Sequence, residues 1–485
     1  MALLTRCGRS SCEGRRMADA IAGLAAALRA ADYSVRGVRA AIGSGAEVSI
    51  APAYLHAIER RLDGASPLGR LIALFLLGVS LPVGEAAAAV APVSLDALAA
   101  AGVVDCDGEM VRARIRVLPY EDLLIACDRD PDPDQRLERE HVGGIHASTV
   151  LLALLTPRRP VGRALEIGCG CGFQALLLAR HAGEVVATDV NPRALEFGRL
   201  NAQLNGIGNI SWRLGDGFEP VRGERFDLVV SNPPFVIAPR PRFTFRESPL
   251  PGDEFCEELV RATPGSLSDD GVACLLTSWI VAPDEDWAAR PTAWTSDIDA
   301  GRLLLHLETV DAATNATRWA VPPGAVSSAE ADALVDEWLE YYRANSIERI
   351  AYGAVIIHPT PALTRIELGG TPGPDAAAHV ERIIEGHALL AAGSSGAVLD
   401  AVLAVPQGLR MDWTLRVEDR AWQLQRSRVS VDGGLGLGVE VDRDTARVVA
   451  GLDGRRPLRE LQGDASLDGV RELLRAGLIA VIRPG

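Results

Sequence analysis

The sequence predicts an α/β protein: a doubly wound, Rossmann-like and mostly parallel sheet, flanked at both ends by smaller winged-helix-like modules. Three short apolar runs, Arg163 to Ile167, Glu184 to Thr188 and Phe226 to Ser231, each end at a glycine-rich or acidic turn. Helix-like segments follow the first two. That alternation marks a parallel sheet whose ligand lies at the carboxyl ends of the strands. Short helices and alternating runs before and after this region predict the flanking modules.

The first run leads into Glu166-Ile-Gly168-Cys-Gly170-Cys-Gly172. Three glycines leave this turn without side chains, so backbone can approach a ligand closely, and the next helix offers free N–H groups. Gly170-x-Gly172-x-x-Ala175 also fits the looser dinucleotide fingerprint, and a glycine turn can serve packing alone. The second run ends at Asp189, where a carboxylate can accept both ribose hydroxyls. Asp216-Gly217 adds an acceptor for an exocyclic adenine amine. The third run ends in Asn232-Pro233-Pro234-Phe235, which has no use in hydride transfer. Its two prolines remove two donors and stiffen the turn, leaving carbonyls free as acceptors. The Asn232 and Pro233 carbonyls together can hold both hydrogens of a planar amino group, with Phe235 against its face. Such a corner orients a nitrogen lone pair and accepts charge as the nitrogen becomes positive.

On these residues the chain resembles the class I S-adenosylmethionine-dependent methyltransferases, and within them the Asn-Pro-Pro-Tyr/Phe branch. That branch holds release-factor glutamine, ribosomal-RNA guanine and adenine-amino methyltransferases. The resemblance implies a seven-stranded sheet and S-adenosylmethionine as cofactor. It places Glu166, Gly168, Gly170, Gly172, Asp189, Asn191, Asp216, Gly217 and Asn232 around that cofactor. It also gives Asn232, Pro233 and Phe235 the catalytic role. Phe235 stands where many members have Tyr.

Of the 485 residues, 49 are basic and 64 acidic, a formal charge of −15, and every basic residue is Arg. The absence of lysine excludes a Schiff-base lysine and a Walker-type phosphate loop. The acidic balance weighs against broad nucleic-acid binding. The eight cysteines show no paired C-x-x-C spacing, so no metal site and no disulfide framework is expected. Met1 to Arg16 lacks the apolar core of a signal peptide, which makes residues 1–16 an expected disordered extension with Met17 as an alternative start. Apolar stretches such as Leu71 to Leu81 are too short to cross a bilayer, so no membrane partner is expected, and the lack of a disulfide framework makes a reducing cytoplasm the expected setting.

Residues 17–130 read as a helical, winged-helix-like domain. Ala18 to Ala31, Ile50 to Leu62 and Leu68 to Val79 carry helical periodicity, and Ser94 initiates a third short helix of the winged pattern. Arg112, Arg114 and Arg116 alternate on the expected wing and are its candidate phosphate contacts, against a solvated-surface reading. Asp128 to Glu140 reads as a charged, proline-broken linker. Residues 131–370 form the expected methyltransferase domain. In the resembled family the segment before the first strand folds over cofactor and substrate, which makes His146 or Ser148 a candidate to face the site; a capping or surface role is the other reading for both histidines and the favoured one for His141. Arg240, Arg242 and Arg246, interleaved with Phe243 and Phe245, follow the proline corner and are candidate substrate contacts. Phe255 to Ala262 reads as a helix. Gly271 to Ile280, Arg302 to Thr309 and Arg349 to Ile357 read as later strands, ending in an antiparallel edge. Residues 371–485 form the second expected winged-helix-like module. The flanking modules are candidates for homodimer contacts.

The expected function is methyl transfer from S-adenosylmethionine to a planar amide or amine nitrogen of protein glutamine or a nucleobase. The alternatives are a small-molecule specialised metabolite as acceptor, or a non-catalytic, cofactor-binding regulatory protein.

Overall fold

The computed structural model describes residues 11–43, 58, 60–132, 134–324, 326–393, 395–418, 420–463 and 466–482. Its centre is an eight-stranded sheet. In chain order the strands are β1 (Val161–Ile167), β2 (Ala182–Asp189), β3 (Ile210–Leu214), β4 (Phe226–Ser231), β5 (Leu267–Val281), β6 (Gly301–Asp311), β7 (Arg349–His358) and β8 (Leu363–Glu367). Their spatial order is β8-β6-β7-β5-β4-β1-β2-β3. The order reverses beside β1, so the connections that leave the paired strands β1 and β4 part to opposite sides and open a crevice at their carboxyl ends. The first five strands run parallel.

The expected antiparallel edge is instead internal. β7 lies antiparallel between β5 and β6, and β8 adds an eighth strand parallel to β6. The central strands read as near-continuous apolar runs because helices cover both faces. Leu165, Val186, Val229 and Leu275 face one layer, while Ala164, Val185, Leu228 and Cys274 face the other.

Four helices position the site: α1 (Ala147–Leu155), α2 (Phe173–Leu178), α3 (Pro192–Asn205) and α4 (Glu254–Ala262). α3 starts where Asn191 accepts the Arg193 N–H and Pro192 supplies a ready-set φ, and it stops at Gly206 in the left-handed region. α5 (Ala312–Trp319) and α6 (Ser328–Ala344) are inserted between β6 and β7.

The amino-terminal unit opens with helix Ser11–Ala30, so residues 11–16 of the expected extension are helical; residues 1–10 lie outside the described residues. The helix expected over Ile50 to Leu62 falls largely outside them too. Further elements are a helical segment Pro67–Leu77, strand Leu81–Pro82, helices Val83–Val90 and Leu95–Ala100, and the hairpin Val104–Asp107 with Met110–Ala113. Ser94 caps the Leu95 helix by accepting the Ala97 N–H. This unit shares one apolar core with α2 and α3, in which Leu24, Leu28 and Phe75 meet Phe173, Leu176 and Phe197. Asn201 of α3 binds both backbone groups of Ala126, and Asn205 does the same at Leu124, so two amides dock a strand edge onto a helix.

The Arg112, Arg114 and Arg116 stripe is not free for phosphate. Arg112 pairs with Asp132, Arg114 with Asp105 and Arg116 with Asp130, so the acidic segment after Asp128 neutralises most of it.

At the other end, α7 (Ala376–Ala391) packs its Ala376, Val380 and Ile383 into the core beside the sheet. It also contacts the carboxyl-terminal helix Leu467–Arg475. Residues 402–482 hold two three-stranded sheets, one of them built on a long hairpin, Leu409–Glu418 with Ala421–Val431, to which Gly438–Val441 adds a third strand.

Candidate active site

A cavity of about 520 Å³ lies at the carboxyl ends of β1, β2 and β4. Its floor is the turn after β1. Gly168 and Gly170 adopt φ of 68° and 52°, where L side chains are strained, and a Cβ on either would meet no protein atom within 4 Å. That open space against bare backbone is where a ligand's close approach is possible. Gly172 differs. Its φ is 80°, but a Cβ there would come within 2.6 Å of the Trp212 ring and 3.1 Å of the Gly198 Cα. Gly172 therefore serves helix-to-strand packing, and the cavity wall does not include it.

Glu166 and Asp189 set the shape of this turn. The buried Glu166 carboxylate accepts the Ala175 N–H at 2.7 Å, taking one of the free donors at the start of α2. Asp189 accepts from Gly170 N and Asn191 N, both at 2.8 Å. Burial raises the pKa of both acids, that of Glu166 well above its ordinary value, with the neighbouring Asp189 charge adding to the shift. Asn191 lines the cavity, but its side chain is occupied by the α3 cap and by Glu140 O at 3.0 Å. Asp216 and Gly217, at φ 48°, close the wall after β3.

The proline corner follows β4. Asn232, Pro233 and Pro234 line the same cavity as Gly168, Asp189 and Asp216. The Asn232 Nδ2 donates to Ser148 Oγ at 3.3 Å, which orients the amide and leaves its Oδ1 as the acceptor. Phe235 is not in the wall. Its carbonyl accepts from Ser278 Oγ at 2.5 Å, and its ring meets Tyr352 edge-on at 6.0 Å. These contacts brace the corner from behind.

His146 stands in the wall, accessible from the cavity, where reduced hydration lowers its pKa. Arg240, Arg242 and Arg246 do not. Arg240 and Arg242 pair with Glu337 of α6, and Arg246 binds Glu247 and Trp319 O. Their guanidiniums staple the loop to the inserted helices outside the cavity wall.

Sequence reading missed the opposite wall. Arg139 and His141 sit across from Thr244 and Phe245. Thr244 N donates to Arg139 O at 3.2 Å, and the His141 and Phe245 rings lie 5.6 Å apart. His141 is thus a wall group rather than a surface one. Phe218, two residues beyond Asp216, and Phe255 and Glu258 of α4 complete the enclosure. Among the described residues no cluster of three or more His, Cys, Asp or Glu could hold a metal, and no helix is long and apolar enough to cross a membrane.

Comparison with known proteins gives this geometry a family. Residues 144–245 match the model described as methyltransferase small domain. A Methanocaldococcus jannaschii protein provisionally named protein N5-glutamine methyltransferase is 33% identical over 153 residues, which is 30% of this chain and 76% of that one. The chain belongs to the class I S-adenosylmethionine-dependent methyltransferases of the Asn-Pro-Pro-Tyr/Phe branch. A release factor glutamine methyltransferase of Xylella fastidiosa (strain Temecula1) is 31% identical over 31% of this chain. A ribosomal RNA small subunit methyltransferase C of Escherichia coli (strain SMS-3-5) is 39% identical over 18% of it. The chain spans 58% and 25% of the lengths of those two relatives. Residues 30–114 match a second model, described as a domain of unknown function.

The cavity of this methyltransferase-family chain fits S-adenosylmethionine on its own terms. Bare glycine backbone, the acidic turns at Asp189 and Asp216 lining the same cavity, and a surplus of acidic groups in its wall suit a nucleoside that carries a sulfonium cation.

Proposed function

We propose that the protein transfers methyl from S-adenosylmethionine to a planar amide nitrogen, with the side chain of a protein glutamine as acceptor. The observation that carries this reading is the Asn232-Pro233-Pro234 corner, which lines one cavity with Gly168, Gly170, Asp189 and Asp216. Gly168 and Gly170 would underlie the methionine part of the cofactor, Asp189 would accept from ribose hydroxyls, and Asp216 would accept from the adenine amine. When bound, the cofactor supplies an electrophilic methyl on sulfur. The chain's own residues then do the positioning. Asn232 Oδ1 and the Pro233 carbonyl accept the two amide hydrogens, and this turns the nitrogen lone pair toward the methyl. Fixed carbonyl dipoles also stabilise positive charge as it grows on that nitrogen. The paired arginines and the acidic balance of the chain favour a protein over a nucleic-acid acceptor. A winged-helix reading of the two flanking units stands with this proposal, as modules that present the acceptor.

Incubation of the protein with methyl-labelled S-adenosylmethionine and fractionated lysate, followed by digestion and mass spectrometry, tests the reading. N5-methylglutamine in a protein fraction is the expected product. Label recovered only in nucleosides would move the acceptor to a nucleobase, and cofactor binding without label in any fraction would end the enzymatic reading.

A further inference from the structure

The carboxyl-terminal hairpin carries an apolar face that its own unit leaves uncovered. Met411 stands opposite Val429, Trp413 opposite Ser427 and Val417 opposite Trp422. Side chains alternate along each strand and paired residues share a face, so Met411, Trp413, Leu415, Val417 and Trp422 line up on one side. A register shift between Thr414 and Leu415 keeps Trp422 on that side. Near its base this face is buried by the unit's own core, through Val429 and Val431. Farther out it is open: Trp413 is 61% exposed, Leu415 47%, Val417 53% and Trp422 70%. Arg410, Arg416, Arg426 and Arg428 fall on the opposite face by the same alternation.

We propose that this face joins two copies of the chain, hairpin against hairpin across a two-fold axis. Charge selects the occupant first. No described ionisable side chain projects from the open part of the face, so a second copy buries no unpaired charge, whereas a nucleic-acid strand would need cations beside the indoles to meet its phosphates. Area agrees. At roughly 250 Å² for a fully open Trp, the patch amounts to about 500 Å², within the roughly 300 to 600 Å² of a monomer's largest apolar patch, a size often used for contact. Two such patches bury about 1,000 Å², the lower bound of a specific interface. An isologous contact also needs only one surface to be self-complementary.

The test is sedimentation velocity on the full chain at several concentrations. A dimer is expected, and its fraction rises between about 50 mM and about 500 mM salt, because two copies at −15 each repel and salt screens them. Binding to RNA or to anionic lipid would weaken over the same range. The double variant Trp413→Thr/Trp422→Thr keeps strand propensity at exposed positions, so its thermal melt should match the parent. Its dimer dissociation constant should be weaker by roughly a hundredfold or more. A parent chain that stays monomeric throughout would overturn the proposal, as would a double variant that dimerises like the parent. So would a monomer whose tryptophan fluorescence shifts only on adding oligouridylate or phosphatidylserine vesicles.

Discussion

Asn232→Ala isolates the proline corner from the cofactor. Among described contacts the Asn232 side chain makes one hydrogen bond, to Ser148 Oγ at 3.3 Å, and it is only half buried. Its loss should cost the fold less than about 1 kcal/mol, since both partners are neutral and the freed hydroxyl can meet water. The cost in transfer is larger. An oriented acceptor aimed at developing charge is worth ~10² to 10³ in kcat, or about 3 to 4 kcal/mol, by analogy with removal of one donor from an oxyanion hole. Asp189 and Asp216 stay in place, so the dissociation constant for S-adenosylhomocysteine should change by less than about twofold, which calorimetry reads. Ser148→Ala is the graded companion. It leaves the acceptor oxygen present but free to rotate, and a loss of about 5- to 20-fold is expected, between the parent and Asn232→Ala. Full labelled-methyl transfer by Asn232→Ala would refute the clamp. A large loss of cofactor affinity with turnover of the bound complex intact would refute it too, by moving Asn232 to the cofactor side.

Other perturbations probe the remaining parts. Asp189→Ala should weaken cofactor binding by about 1 to 3 kcal/mol, and because burial raises the Asp189 pKa, parent affinity should fall on acidification at a pH above the ordinary carboxylate range; calorimetry across pH checks both. Glu166 has a folded-state pKa raised well above 4.5, so the native state holds a proton that the unfolded chain releases, and stability should fall as pH rises from there through the raised value. Thermal melts of Glu166→Gln should lack that decline. Gly172→Ala and Gly168→Ala should each lose about 1 to 2 kcal/mol of stability by straining φ, but only Gly172→Ala also strikes Trp212 and so melts lower, while only Gly168→Ala should lose cofactor affinity; melts and calorimetry on the pair read both differences. Arg240→Ala should leave the KM for the methyl acceptor within about twofold, because Arg240 lies outside the cavity wall, and its exposed pair with Glu337 should cost the fold at most about 1 kcal/mol.

The parts legible in the sequence were those whose physics is local. Gly168 and Gly170 need a positive φ, and Pro233 and Pro234 withdraw donors, whatever surrounds them. Strands β1, β2 and β4 were marked by runs that end in such turns. Gly172 shows the limit: its φ requirement looks the same, but its reason is the Trp212 ring, a contact that no spacing encodes. The partners of the arginines after the corner were hidden for the same cause. Arg242 lies 95 residues before Glu337, and α6 exists at that place only once β6 and β7 have paired. Likewise His141 became a wall group because Phe245 folds back against it, through the pairing of Val236 with Glu247.

The same distance between motif and support explains the part Phe235 plays. A rigid corner requires more than two prolines, because φ is fixed at each but the chain beyond can still swing. Here the continuation is held on three sides. Ser278 of β5 binds the Phe235 carbonyl, Tyr352 of β7 meets its ring, and Tyr342 of α6 donates to Ile237 O at 2.8 Å. Asn315 of α5 links the two tyrosines, accepting from Tyr352 and donating to Tyr342 at 2.6 Å, and all three are buried. Burial of this network pushes the Tyr352 phenol up to about 12, so it stays neutral and holds its proton for Asn315 across the physiological range. An aromatic at position 235 thus acts as the peg that fits the corner to this network. The insertion of α5 and α6 between β6 and β7 is thereby coupled to the chemistry without reaching the cavity.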